Sequence, residues 1–121
     1  MKLFVILGAV NAFIAVACGA FGAHALEGKL SEHYLAIWET AVKYQFYHAL
    51  GLIAIGILIQ VTGAQFLTAA GWFMTAGIVF FTGSLMVLAF TGISILGAVT
   101  PIGGVMFLIS WALVIIGIAK I

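Results

Sequence analysis

Thr40, Tyr44, Gln45 and His48 are the residues of this chain best placed to do chemistry. At 100° per helical residue they fall on one face. Gly51 continues that face and leaves room there for another helix or a ligand. Histidine titrates near neutrality, so the face could relay protons. It could equally hold the edge of a lipid, a quinone or a haem. A third reading needs no ligand. The four side chains would form an interhelical hydrogen-bond cluster that fixes the register of a bundle, each bond contributing roughly 0.6–2 kcal/mol in lipid. This third reading is preferred.

Other candidates are weaker. Glu39 and Lys43 stand at i and i+4 in the favourable order for a helical ion pair. A solvated pair at a membrane surface is the plain reading, and an ion access point the sharper one. His24, Glu27 and His33 lie close together in sequence, but structural zinc prefers four ligands at tight spacings, often with paired thiolates. The single Cys18 supplies no pair, so no metal is expected. A bis-histidine haem on His24 and His48 would lack the Cys-x-x-Cys-His attachment motif, and no cofactor is expected. Hydrolase chemistry fares no better. Ser84 lacks the second glycine of a nucleophile elbow, the chain has no Asp, and Gly103-Gly104 lacks the lysine of a P-loop. Asn11, Thr75, Thr82, Ser84 and Ser110 are expected to bond to backbone carbonyls or neighbouring helices. No enzyme is predicted.

The elements that must position these residues are written in the charge pattern. Residues 44–119 contain no Asp, Glu, Lys or Arg, and residues 3–23 form a second uncharged run. The chain of 121 residues is 66% apolar with mean hydropathy +1.38, enough for a single domain. A spanning helix needs roughly 20 mostly apolar residues and is penalised for each charge, so lipid is the solvent that suits this pattern. With four lysines and no arginine, phosphate neutralisation fails as a strategy and nucleic acid is excluded as a partner. Ala15-Val16-Ala17-Cys18 loosely resembles a lipoprotein cleavage site. The apolar run continues past Cys18 to Ala23, so a retained helix is expected.

The prediction is an all-α polytopic membrane protein, a four-helix bundle with spans at about 3–23, 44–61, 66–90 and 101–119. The interfacial segment 24–43 is expected to be an N-terminal extension of the second helix. Ser31 is placed to cap a helix beginning at Glu32, and Leu30 and Leu35 to staple it. No breaker follows until Gly51, so this helix runs straight into the second span. From Glu32 to Gln60 it would measure roughly 43 Å, longer than the hydrocarbon layer of ~30 Å. Its first turns should therefore project into the interface, where Tyr34, Trp38, Tyr44 and Tyr47 belong. Pro101 suits the first position of the fourth helix. Lysines tie at two on each side of the membrane, and the N-terminal amine tips the termini toward the cytoplasm. Gly8, Ala12, Ala15, Gly19 and Ala23 form a small-residue stripe that permits close helix approach. Packing within the bundle is preferred there over a dimer seam.

Three local patterns carry a family resemblance. They are Gly19-Ala20-Phe21-Gly22-Ala23-His24-Ala25-Leu26; then Trp38-Glu39-Thr40-Ala41-Val42 with Tyr44-Gln45 and His48-Ala49-Leu50-Gly51; and Thr82-Gly83-Ser84-Leu85 through Thr100-Pro101-Ile102-Gly103-Gly104 to Trp111. In order and spacing the chain resembles the small four-helix membrane proteins grouped as domain of unknown function four-two-three. The resemblance covers nearly the whole chain and implies an integral protein of the bacterial cell membrane type. It implies no activity.

The expected function is a non-catalytic membrane scaffold or partner subunit, with the lipid bilayer and a homo-oligomer or second membrane protein as partners. The alternative is an oligomeric transporter or channel lined by Thr40, Tyr44, Gln45 and His48. In that version the Gly-rich Thr91–Gly104 connection would re-enter the bilayer. A site for lipid, quinone or haem is a further alternative.

Overall fold

Ser31 starts the longest element as its sequence requires. In the computed structural model, which describes residues 2–121, Ser31 adopts an extended conformation and its hydroxyl accepts from the Tyr34 N–H at 3.3 Å. The helix it caps, α2, runs unbroken over Glu32–Thr62. At 31 residues it is about 46 Å long, so its first turns extend beyond a hydrocarbon layer of ~30 Å. It ends at Gly63, whose φ of 71° is left-handed and whose N–H donates to Ile59 O at 2.8 Å. A glycine fits here because a Cβ is disfavoured in that conformation.

Three further helices are long and apolar enough to cross a membrane: α1 over Lys2–Leu26, α3 over Leu67–Thr91 and α4 over Leu96–Ala119. The turn after α3 repeats the glycine device, with Gly92 at φ 68° and its N–H on Leu88 O. α1 and α3 each contain one π-helical turn, at Cys18–Gly22 and Ile78–Thr82. Such a turn frees a carbonyl from the regular ladder. In α1 the Trp38 indole N–H of α2 donates to Cys18 O at 3.1 Å. Trp38 therefore ties the interfacial end of α2 to the distorted turn of α1.

Two expectations need correction. Pro101 is not the first residue of its helix. It lies inside α4, which begins at Leu96 after a turn of only four residues. No side chain caps that start; the turn is closed instead by backbone bonds from Leu96, Gly97 and Ala98 to the carbonyls three residues back. A proline in a spanning helix is tolerated where neighbouring groups re-satisfy the freed backbone. It follows that Thr91–Gly104 is helix, turn and helix, and does not re-enter the bilayer as a loop.

The helices close on small residues. α1 lies along α2, and at their closest approach a Cβ on Gly8 would sit 2.6 Å from Ala49 O and 2.9 Å from Ile53 N. Ala15 is buried, and a Cβ on Gly19 would meet Val42. The stripe read from the sequence thus packs within the bundle against α2, except that the Ala23 side chain lies outside the described residues. On the other side, Gly103 of α4 rests against the Phe81 backbone in the π turn of α3, and Gly77 of α3 against the Phe107 ring. All four helices feed one core, with Phe4 from α1, Leu52 and Ile55 from α2, Leu67 and Met74 from α3, and Phe107 from α4.

Inside this core the hydroxyls act as fasteners. Ser110 of α4 donates to Ala70 O of α3 at 2.6 Å, and Thr82 of α3 to Ala41 O of α2 at 3.2 Å. Ser84 and Thr100 share a 2.7 Å bond between α3 and α4. Thr75 turns back onto Gly71 O of its own helix. The expectation that these groups bond to carbonyls or neighbouring helices holds. Ser110→Ala is expected to cost about 0.6–1.7 kcal/mol, read as a shift of the unfolding midpoint in mixed micelles.

Candidate functional site

The four residues read as one polar face do not converge on one cavity. α2 is the central helix, and three of the four each meet a different neighbour. Gln45, only 5% exposed, points to α1, where its amide N–H donates to Asn11 Oδ1 at 3.1 Å. Asn11 in turn donates to Leu7 O at 2.8 Å. The Gln45 Oε1 atom is buried without a hydrogen-bond partner among the described residues. His48, 6% exposed, points to α4 instead. Tyr44 is exposed, with its ring 4.8 Å from that of Phe81. Thr40 is exposed and its hydroxyl bonds Ala36 O of its own helix. Thr40 is therefore separated from any intramembrane cluster.

His48 has the most specific setting. The Trp111 indole N–H donates to its Nε2 at 3.1 Å, which makes Nε2 an acceptor. The ring proton must then sit on Nδ1, which faces Tyr44 O at 2.7 Å and donates to it. The imidazole lies flat on Phe107, with ring centres 3.5 Å apart and planes 8° from parallel. Both nitrogens and one face are thus occupied. A protonated ring would turn an N–H against the Trp111 N–H, setting donor against donor. The arrangement suits a neutral histidine that joins α2 to α4.

The interfacial candidates stay apart. Glu39 and Lys43 border one shallow groove with Gly19, Trp38 and Val42 but form no ion pair among the described residues. Holding two long exposed side chains together costs entropy that water-screened attraction barely repays, which accounts for the open pair. His24, Glu27 and Glu39 border a second, polar groove at the same surface. His33 is exposed and sets its ring edge-on to Tyr34. Among the described residues no group of three His, Cys, Asp or Glu side chains lies close enough to hold a metal ion.

Two parts of the site were not anticipated: the Asn11–Gln45 and His48–Trp111 bonds. A signal existed for the first. Asn11 is the one amide in the first apolar run, and an amide in lipid bonds to backbone carbonyls or to polar groups of another helix.

Residues 18–104 match the family model described as "Protein of unknown function (DUF423)". The chain belongs to this family. Its relatives include the UPF0382 membrane protein YwdK of Bacillus subtilis (strain 168), 54% identical over 121 residues, covering 99% of this chain and 98% of that protein. The UPF0382 membrane protein SSP2132 of Staphylococcus saprophyticus is 56% identical over 121 residues, covering both chains fully. SERP0230 of Staphylococcus epidermidis is 56% identical over 120 residues. No solved structure matches. The family resemblance drawn from the local patterns is therefore correct, and with it the reading of a membrane protein. What the relatives' names add is a membrane location.

Proposed function

We propose that this DUF423 protein is a non-catalytic module of the cell membrane, a small helical scaffold or partner subunit with both termini in the cytoplasm. One observation carries the reading: the most buried ionisable group, His48, spends both nitrogens inside the bundle, Nδ1 on Tyr44 O of its own helix and Nε2 on the Trp111 indole of α4. A relay or catalytic histidine needs a proton-exchanging group, water or substrate within hydrogen-bond reach, whereas the two partners here are a backbone carbonyl and an indole N–H. The neighbouring polar groups support the same reading. Asn11, Thr82, Ser84 and Ser110 are all engaged in bonds within the bundle. What remains for a partner is the lipid-facing surface of the helices, and a module of this kind would bind through it.

Reconstitution into liposomes tests the proposal. Proton, potassium and chloride flux should not exceed that of empty vesicles. Flux above that background, abolished by His48→Gln, would overturn the scaffold reading and favour transport. Orientation is tested separately by reporter fusion at the C-terminus. A cytoplasmic reporter should be active there and an export-dependent one silent, and the opposite pattern would reverse the topology.

A further inference from the structure

On the terminal side of Gly8, α1 and α2 border a groove of about 330 Å³ that opens sideways from the bundle. Such a volume lies at the lower end of the range in which small ligands are held. Val5 and Ile6 line it from α1, and Ile57 and Val61 from α2. Lys2 and Gln60 stand at the end nearest the membrane surface. The groove is apolar along its length and cationic at its mouth, the order of parts in a phospholipid read in reverse.

The charge around the mouth is one-sided. The three acidic side chains, Glu27, Glu32 and Glu39, all lie at the opposite end of the bundle. At the terminal end the lysines are Lys2 and Lys120, and the second sits over the Phe66 ring, 4.9 Å from its centre. Lys2 makes no ion pair among the described residues. It is an exposed cation, unpaired among the described residues, at the end of an apolar slot.

From this placement we propose that the α1–α2 groove binds one anionic phospholipid of the leaflet next to the termini. One acyl chain lies between Val5, Ile6, Ile57 and Val61, the phosphate sits on Lys2, and the Gln60 amide is placed to donate to an ester carbonyl. A second copy of the chain would fit the apolar walls but would bring its own Lys2 to the mouth, cation against cation. The lipid is the occupant whose charge matches. The proposal is independent of the scaffold reading.

The test is native mass spectrometry of the intact protein released from nanodiscs of phosphatidylglycerol and phosphatidylcholine with identical chains. One retained lipid is expected, with phosphatidylglycerol favoured about fivefold, the effect of one lysine near an anionic headgroup. Lys2→Gln should bring the two lipids to parity, whereas Lys120→Gln should leave the preference unchanged. Equal retention of both lipids by the unaltered protein would overturn the proposal. So would equal losses in the two variants, which would mark a general surface-charge effect, or a lipid-free dimer. Both lysines are exposed, and unchanged helical circular dichroism would establish that each variant is folded.

Discussion

Gly8→Ala is expected to destabilise the bundle by about 2–3 kcal/mol, as overpacking does, while Gly104→Ala stabilises it by about 0.5–1 kcal/mol. The chemical change is the same in both. At Gly8 the new methyl would lie 2.6 Å from Ala49 O and 2.9 Å from Ile53 N, both backbone atoms of α2. Neither can rotate away, so α1 must move off α2. In lipid the loss is severe because close packing, not the hydrophobic effect, holds helices together. A Cβ on Gly104 meets nothing within 4 Å, and only the entropy of a helical glycine is recovered. Unfolding in mixed micelles, followed by circular dichroism, should show midpoints moving in opposite directions. A shift of the same sign in both variants would refute the α1–α2 crossing described here.

His48→Leu is expected to cost about 1–3 kcal/mol, the penalty for a donor left without its acceptor where lipid, not water, surrounds it. The stranded group is the Trp111 indole N–H, and the stacking of the imidazole on Phe107 is lost with it. Adding Trp111→Phe removes the stranded donor. The double variant should therefore be less destabilised than the sum of the two single changes, a coupling of about 0.5 kcal/mol or more. Strict additivity would mean that the α2–α4 bond does not form in the membrane. His48→Gln keeps an acceptor and a donor near the same positions and should fall between wild type and His48→Leu. These stability effects are separate from the flux measurements, because a strut can weaken without a pathway being lost.

Much of the fold was legible from particular residues. Ser31, the absence of a breaker before Gly51 and the glycine at position 63 together fix α2. The uncharged run of 44–119, interrupted near Gly63 and Gly92, gives two of the turns. The start of α4 was not legible, because its first turn carries no side-chain cap and Pro101 is a stronger local signal than anything near Leu96. The π turns at Cys18–Gly22 and Ile78–Thr82 were also hidden. They are stabilised by contacts from other helices, Trp38 on one and Gly103 on the other, which local sequence does not announce. The candidate site was read halfway. The periodicity of α2 placed Gln45 and His48 on its inner side, but which neighbour each would meet depends on how three other helices surround it. Gln45 found Asn11 and His48 found Trp111, and the polar face became two separate fasteners.

Nitrogen NMR of selectively labelled histidine in a bilayer reads directly whether His48 is a neutral, fully bonded strut. His48→Gln provides the assignment by removing one set of signals. At pH 7 a neutral ring with its proton on Nδ1 and an unprotonated, hydrogen-bonded Nε2 is expected. An imidazolium, or a ring with its proton on Nε2 and in exchange with water, would contradict it. Either would return His48 to the role of a proton carrier.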